Sequence, residues 1–209
     1  MASTSETWHA KNVANFEDLI SFCNGYGGSY NPSKAILQIG NLTTLHSNAE
    51  SSITGVTNAK NAFTVVTNQR QTAFDPLRKL CTRIVNALDA TDATDKLVKD
   101  AKTINNKIQG KRAATKSAKP KSADSEAAED KTISVSQQSY DALIDNFAKL
   151  IDLVGTEPTY TPNETELQIS TLQTNLGGLK ATNTAVVNAY TNYSNARITR
   201  NNILYGQTS

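Results

Sequence analysis

Apolar residues recur along most of this chain at spacings of three and four, the signature of one helix face. Val13, Phe16, Leu19, Ile20 and Cys23 predict a short amphipathic helix near the start. Leu143, Ile144, Phe147, Leu150, Ile151 and Val154 predict another, with Gly155 placed to stop it. Each is followed by a loop and then by a much longer periodic stretch. The first runs Ile39, Leu42, His46, Ala49, Ile53, Val56, Lys60, Phe63, Thr67, Arg70 and Phe74. The second runs Ile169, Leu172, Leu176, Leu179, Asn183, Val186, Tyr190, Tyr193, Arg197, Arg200 and Leu204. A seven-residue phase held over that length argues for a coiled-coil-like seam. A continuous helix from residue 33 to 74 is expected to be about 63 Å long. The competing expectation is a break near Ser47-Asn48 and, in the second stretch, near Gly177-Gly178.

The two stretches also match each other. An offset of 130 sets Tyr30, Pro32, Leu37, Gln38, Ile39, Leu42 and Arg70 on Tyr160, Pro162, Leu167, Gln168, Ile169, Leu172 and Arg200. An offset of 131 sets Asn15-Phe16 on Asn146-Phe147 and Leu19-Ile20 on Leu150-Ile151. The repeated Leu-Gln-Ile and the Tyr-x-Pro before it point to duplication of one helical unit rather than to shared composition. Thr161-Pro162-Asn163-Glu164 reads as an N-cap, an N1 proline and a capping-box glutamate. Asn31-Pro32, with Lys34 in place of the glutamate, reads as a weaker version.

Between the copies lies additional sequence. Leu77, Leu80, Cys81, Ile84, Val85 and Leu88 predict one helix and Leu97, Val98, Ala101, Ile104 and Ile108 a second, with a turn at Thr91–Asp95 and a stop at Gly110. Residues 111–132 are basic and then acidic, with alanine and serine between, and offer almost nothing to a core. The expected organisation is a first helical repeat at 8–75, an inserted helical hairpin at 76–110, a flexible charged linker at 111–132 and a second repeat at 133–209. The fold class is all-α, an elongated helical bundle.

Composition sharpens this picture in one respect. Asn and Thr make up about a fifth of the 209 residues, and both are mediocre helix formers, so packing must hold the long helices. Hydrophobic residues are 38% and aromatics 6%, and mean hydropathy is −0.44, which suits small cores spread along seams. The 21 basic and 19 acidic residues nearly cancel, so net charge names no polyanionic partner. No run of about 18 apolar residues is present to span a membrane. Met1–Lys11 shows no basic-then-apolar leader. A cytoplasmic location is therefore expected, with export by a route that needs no leader left open.

Candidate chemistry is sparse. Cys23 and Cys81 form no CxxC and occupy apolar positions, which predicts buried free thiols. With only His9 and His46 they match no zinc spacing. Gly25-Tyr26-Gly27-Gly28 follows a helix rather than a strand and reads as a turn, not a phosphate loop. No catalytic, cofactor or metal motif is found, so no cofactor is expected and the chain is read as a non-enzyme. Arg70 and Arg200 hold equivalent seam positions and are candidates for a register pair or a shared anion site. Lys111, Arg112, Lys116, Lys119 and Lys121 are candidate phosphate contacts. Ile36, Leu45, Val65 and Val66 fall off the strict seam; Val65 and Val66 are the candidate partner-binding pair. The expected role is a structural scaffold that self-associates or docks a protein partner through helix faces. The alternatives are a nucleic-acid accessory protein using the basic arm and a helical secreted or membrane-acting effector.

Overall fold

A computed structural model describes residues 4–111 and 138–206. The described residues are all-helical, with no strand among them. Six α-helices follow one another among the described residues: α1 Thr4–Gly25, α2 Ile39–Phe74, α3 Leu77–Asp89, α4 Asp95–Ile108, α5 Tyr140–Gly155 and α6 Ile169–Tyr205. The chain divides into two compact units, the first made of 1–67 and 185–209 and the second of 68–184. Both long helices therefore contribute to both units.

α2 passes through Ser47-Asn48 and α6 through Gly177-Gly178 without interruption. At 36 residues α2 is about 54 Å long. Thr-rich helices of this length need a place for their hydroxyls. Thr43, Thr44, Thr57, Thr64 and Thr67 in α2, and Thr174, Thr184 and Thr191 in α6, each donate to the carbonyl four residues earlier. The seam holds at seven-residue steps. Leu42, Ala49 and Val56 are buried in α2, and Leu172, Leu179 and Val186 in α6. Lys60, expected on the seam, is exposed.

The long helices begin later than the capping pattern predicts. Thr161-Pro162-Asn163-Glu164 does not start α6. It leads into a 3-10 turn at Thr165–Leu167, and α6 begins at Ile169. The Tyr160 hydroxyl donates to Leu167 O at 3.0 Å and holds this turn closed. Glu164 makes no capping bond; its carboxylate, with that of Glu166, pairs with Arg83 of α3. The segment before α2 has the same form. A 3-10 turn covers Ala35–Leu37, and the Tyr30 hydroxyl donates to Leu37 O at 2.7 Å. Gly155 is the last residue of α5 rather than a left-handed stop. The cap is Thr156, in right-handed geometry, whose hydroxyl donates to Leu153 O.

The second unit holds the larger core. α3 and α4 run antiparallel: Arg78 Nε donates to Ile108 O, Gln109 Nε2 donates to Arg78 O, and Lys102 pairs with Asp89 at the other end. Thr94 caps α4, accepting from Leu97 N, and Gly110 at φ 73° closes it. Gly110 N donates to Lys107 O and Lys111 N to Asn106 O, the paired bonds of a Schellman motif. α5 starts where α4 ends, because Gln138 Nε2 donates to Lys107 O. It packs along α4 and seals Phe147, Leu150, Ile151 and Val154 with Ile84, Leu88, Ala101 and Ile108 in one apolar cluster.

The first unit is thinner. Its buried apolar residues are Val13, Ile20 and Cys23 of α1 and Leu42, Ala49 and Val56 of α2, with Val186 of α6. His9 is also buried, and the Tyr205 hydroxyl lies 2.8 Å from its Nδ1. Phe63 of α2 stacks on Tyr193 and tilts against Tyr190 of α6, while Ser51 and Gly55, earlier in α2, border a groove with Thr199 and Ile203, later in α6, so the two long helices run antiparallel here. Leu19, expected on the packed face of α1, is 53% exposed. The packed face is narrower than the periodicity suggested, and Leu19 sits just beyond it.

Candidate functional site

The candidate charged groups lie in different settings. Arg70 belongs to the second unit. Its Nη1 donates to Asn183 Oδ1 at 2.9 Å, and Asn183 Nδ2 donates to Asp141 Oδ1 at 2.7 Å. The guanidinium also lies 4.0 Å over the Tyr140 ring, a cation–π contact that Phe74 backs edge-on. Arg70 Nε is buried without a hydrogen-bond partner. Arg200 belongs to the first unit and is 2% exposed; its Nε and Nη2 both donate to Asn201 Oδ1. The two arginines thus belong to different units. Of the basic-arm candidates, Lys111 is exposed. Arg112, Lys116, Lys119 and Lys121 lie outside the described residues, as does most of the 111–132 segment.

Both cysteines are buried and free. Burial pushes the Cys81 thiol up to about 12, which keeps it protonated and unreactive. Burial likewise pushes the Tyr160 hydroxyl up to about 12. Tyr30 is held up by desolvation first and by the neighbouring Cys23 thiol second. Among the described residues no three His, Cys, Asp or Glu side chains gather as a metal site would need. No helix among them is long and apolar enough to cross a membrane. Two shallow grooves mark the first unit. One runs between α2 and α6 and is lined by small residues such as Ser51, Ser52, Gly55 and Ala196. The other, between α1 and α2, is bordered by Val13, Glu17, His46 and Glu50. His46 Nε2 is buried without a partner, while its Nδ1 lies 3.7 Å from Glu50. Neither groove gathers a nucleophile, a base and an oxyanion donor.

What distinguishes the surface is apolar exposure. Twelve large hydrophobic residues of the described chain are exposed, and all twelve belong to the first unit. α1 and the loop after it carry Trp8, Leu19, Phe22, Tyr26, Ile36 and Leu37. α2 carries Leu45 and Val65, and α6 carries Val187, Tyr190, Ile198 and Tyr205. Val65 is 52% exposed, whereas its candidate partner Val66 is half-buried. Sequence reasoning found Ile36, Leu45 and Val65 because they break the seam phase. It missed Phe22 and Tyr26, although with Leu19 they form their own three-and-four spacing. An apolar surface concentrated on one unit is the usual mark of an interaction site. No protein-family model matches the chain, and no curated protein or solved structure matches it either.

Proposed function

We propose that this protein is a non-enzymatic scaffold, built from two copies of one helical unit, that self-associates through helix faces of its first unit. One observation carries the reading: every exposed large hydrophobic residue of the described chain falls in the first unit. A chain that needed only to fold has no use for that asymmetry, since the second unit shields its own apolar residues. The duplication is supported by two matching local structures. Each copy has a tyrosine hydroxyl bonded to a carbonyl seven residues on, over a 3-10 turn that precedes a long helix. In this reading α3 and α4 are the addition between the copies that gives the second unit its cover.

More than one helix of the first unit offers apolar contact, so assembly is expected to proceed past a pair. Sedimentation velocity from 1 to 100 µM is expected to show species larger than the 22.5 kDa chain. Replacing Val65→Lys together with Val66→Lys is expected to remove the largest of these species and to leave far-UV circular dichroism unchanged. If the size distribution of that double variant matches the wild type, the outer face of α2 takes no part in assembly.

A further inference from the structure

α1 carries two stripes. His9, Val13, Ile20 and Cys23 are buried within the first unit. One residue to the side, Leu19, Phe22 and Tyr26 are 53%, 69% and 66% exposed. The duplication proposed above, on which this inference rests, shows what covers such a stripe. At the matching offsets Leu19 and Phe22 correspond to Leu150 and Leu153 of α5, and Leu37 corresponds to Leu167. Leu150 and Leu167 are buried and Leu153 packs on the same cluster, beneath α3 and α4. Among the described residues of the first unit no helix takes that place.

We propose that a second copy of this chain takes it, with α1 pairing antiparallel on α1 as α4 does on α5. The area suits a pair of copies. An aromatic side chain buries about 150–250 Å² when covered. Phe22 and Tyr26, with Leu19, Ile36 and Leu37, therefore leave on the order of 600 Å² of apolar surface per copy. A standard interface takes about 800 Å² from each side. The chemistry of the seat argues against the α3–α4 pair of another copy. In the second unit Arg83 of α3 is held by Glu164 and Glu166. The corresponding positions of the first unit are Lys34 and Ile36, where an arginine meets a like charge and an apolar side chain.

A second α1 meets no such conflict. Placed antiparallel about the centre of the stripe, Leu19 of each copy faces Phe22 of the other, and Asn15 faces the Tyr26 hydroxyl. Asp18, beside the stripe, then lies toward the C-terminal end of the other α1. The loop bearing Lys34 is anchored there, since Tyr30 neighbours Cys23 and bonds Leu37 O. Asp18 of one copy and Lys34 of the other carry opposite charge, at both ends of the two-fold pairing.

The test is sedimentation equilibrium of the full chain at 1–100 µM. Wild type is expected to fit an assembly whose first step is a dimer of twice the 22.5 kDa chain mass. Phe22→Glu is expected to remain monomeric with unchanged helicity, because the side chain it replaces is exposed. Asp18→Lys is expected to weaken the dimer at least tenfold, and adding Lys34→Asp to restore it. The Val65→Lys, Val66→Lys variant is expected to keep the dimer. A dimer that survives Phe22→Glu and is lost in the Val65, Val66 variant overturns this inference and leaves the scaffold reading standing. A wild type that stays monomeric at 100 µM overturns both.

Discussion

Replacing Phe147 with alanine is expected to destabilise the second unit by about 3–5 kcal/mol, the range for a large aromatic removed from a closed core. Phe147 is fully buried on α5 and belongs to the cluster shared with Ile84, Leu88 and Ile108. Its surroundings come from three helices, so no single one can close the gap by moving inward. Under the proposed duplication the corresponding residue is Phe16, which is half-buried and tilts against His46 at 6.1 Å. Phe16→Ala is therefore expected to cost less, about 1–2 kcal/mol, because part of that ring already meets water. Urea unfolding followed by far-UV circular dichroism measures both. Equal losses at the two positions mean that the first unit is covered as fully as the second in solution. Under the pairing inferred above, equal losses are expected only at concentrations where the dimer forms. The comparison is therefore made at 1 µM and again at 100 µM.

The sequence announced the elements whose physics is local. The seven-residue phase from Leu42 to Val56 and from Leu172 to Val186 needs only side-chain volume and spacing to be read, and these residues line the seams. The helix starts were misread because their determinants are not local. Glu164 looks like a capping residue from its neighbours, yet its carboxylate is held by Arg83, 81 positions away. The pairing of tyrosine with the carbonyl seven residues on was available as a signal, since Tyr30 and Leu37 repeat as Tyr160 and Leu167. The α1 stripe was missed for a different reason. Val13, Phe16, Ile20 and Cys23 already satisfy a one-face pattern, so the adjoining Leu19, Phe22 and Tyr26 were absorbed into it or passed over. Where the α3–α4 pair would dock was legible only in the charges. Glu164 and Glu166 suit Arg83; Lys34 and Ile36, 130 positions earlier, do not.

Alkaline pH is expected to weaken the second unit. Cys81 of α3 is completely buried, and its thiol is raised from 9.0 to about 12 by desolvation. Tyr160, buried and bonded to Leu167 O, is raised from 10.0 to about 12 for the same reason. Both groups are neutral when protonated, and the unfolded chain releases each proton at the lower pH. Their contribution is thus complete below pH 9 and falls as pH rises toward 12. Each unit of pH inside that window removes about 1.4 kcal/mol per group. Between pH 8 and 10.5 Cys81 accounts for a loss of about 2 kcal/mol, and Tyr160 adds less than about 1 kcal/mol once residual screening is allowed for. Urea midpoints measured across that range test the sum. Cys81→Ala is expected to lower stability at pH 8, because a sulfur is removed from a packed site, and to flatten the decline above pH 9. Tyr160→Phe is expected to cost about 1 kcal/mol at pH 8 for the lost hydrogen bond and to soften the decline only above pH 10. A decline that keeps its full slope in both variants assigns the alkaline loss to other groups and removes Cys81 and Tyr160 from the account.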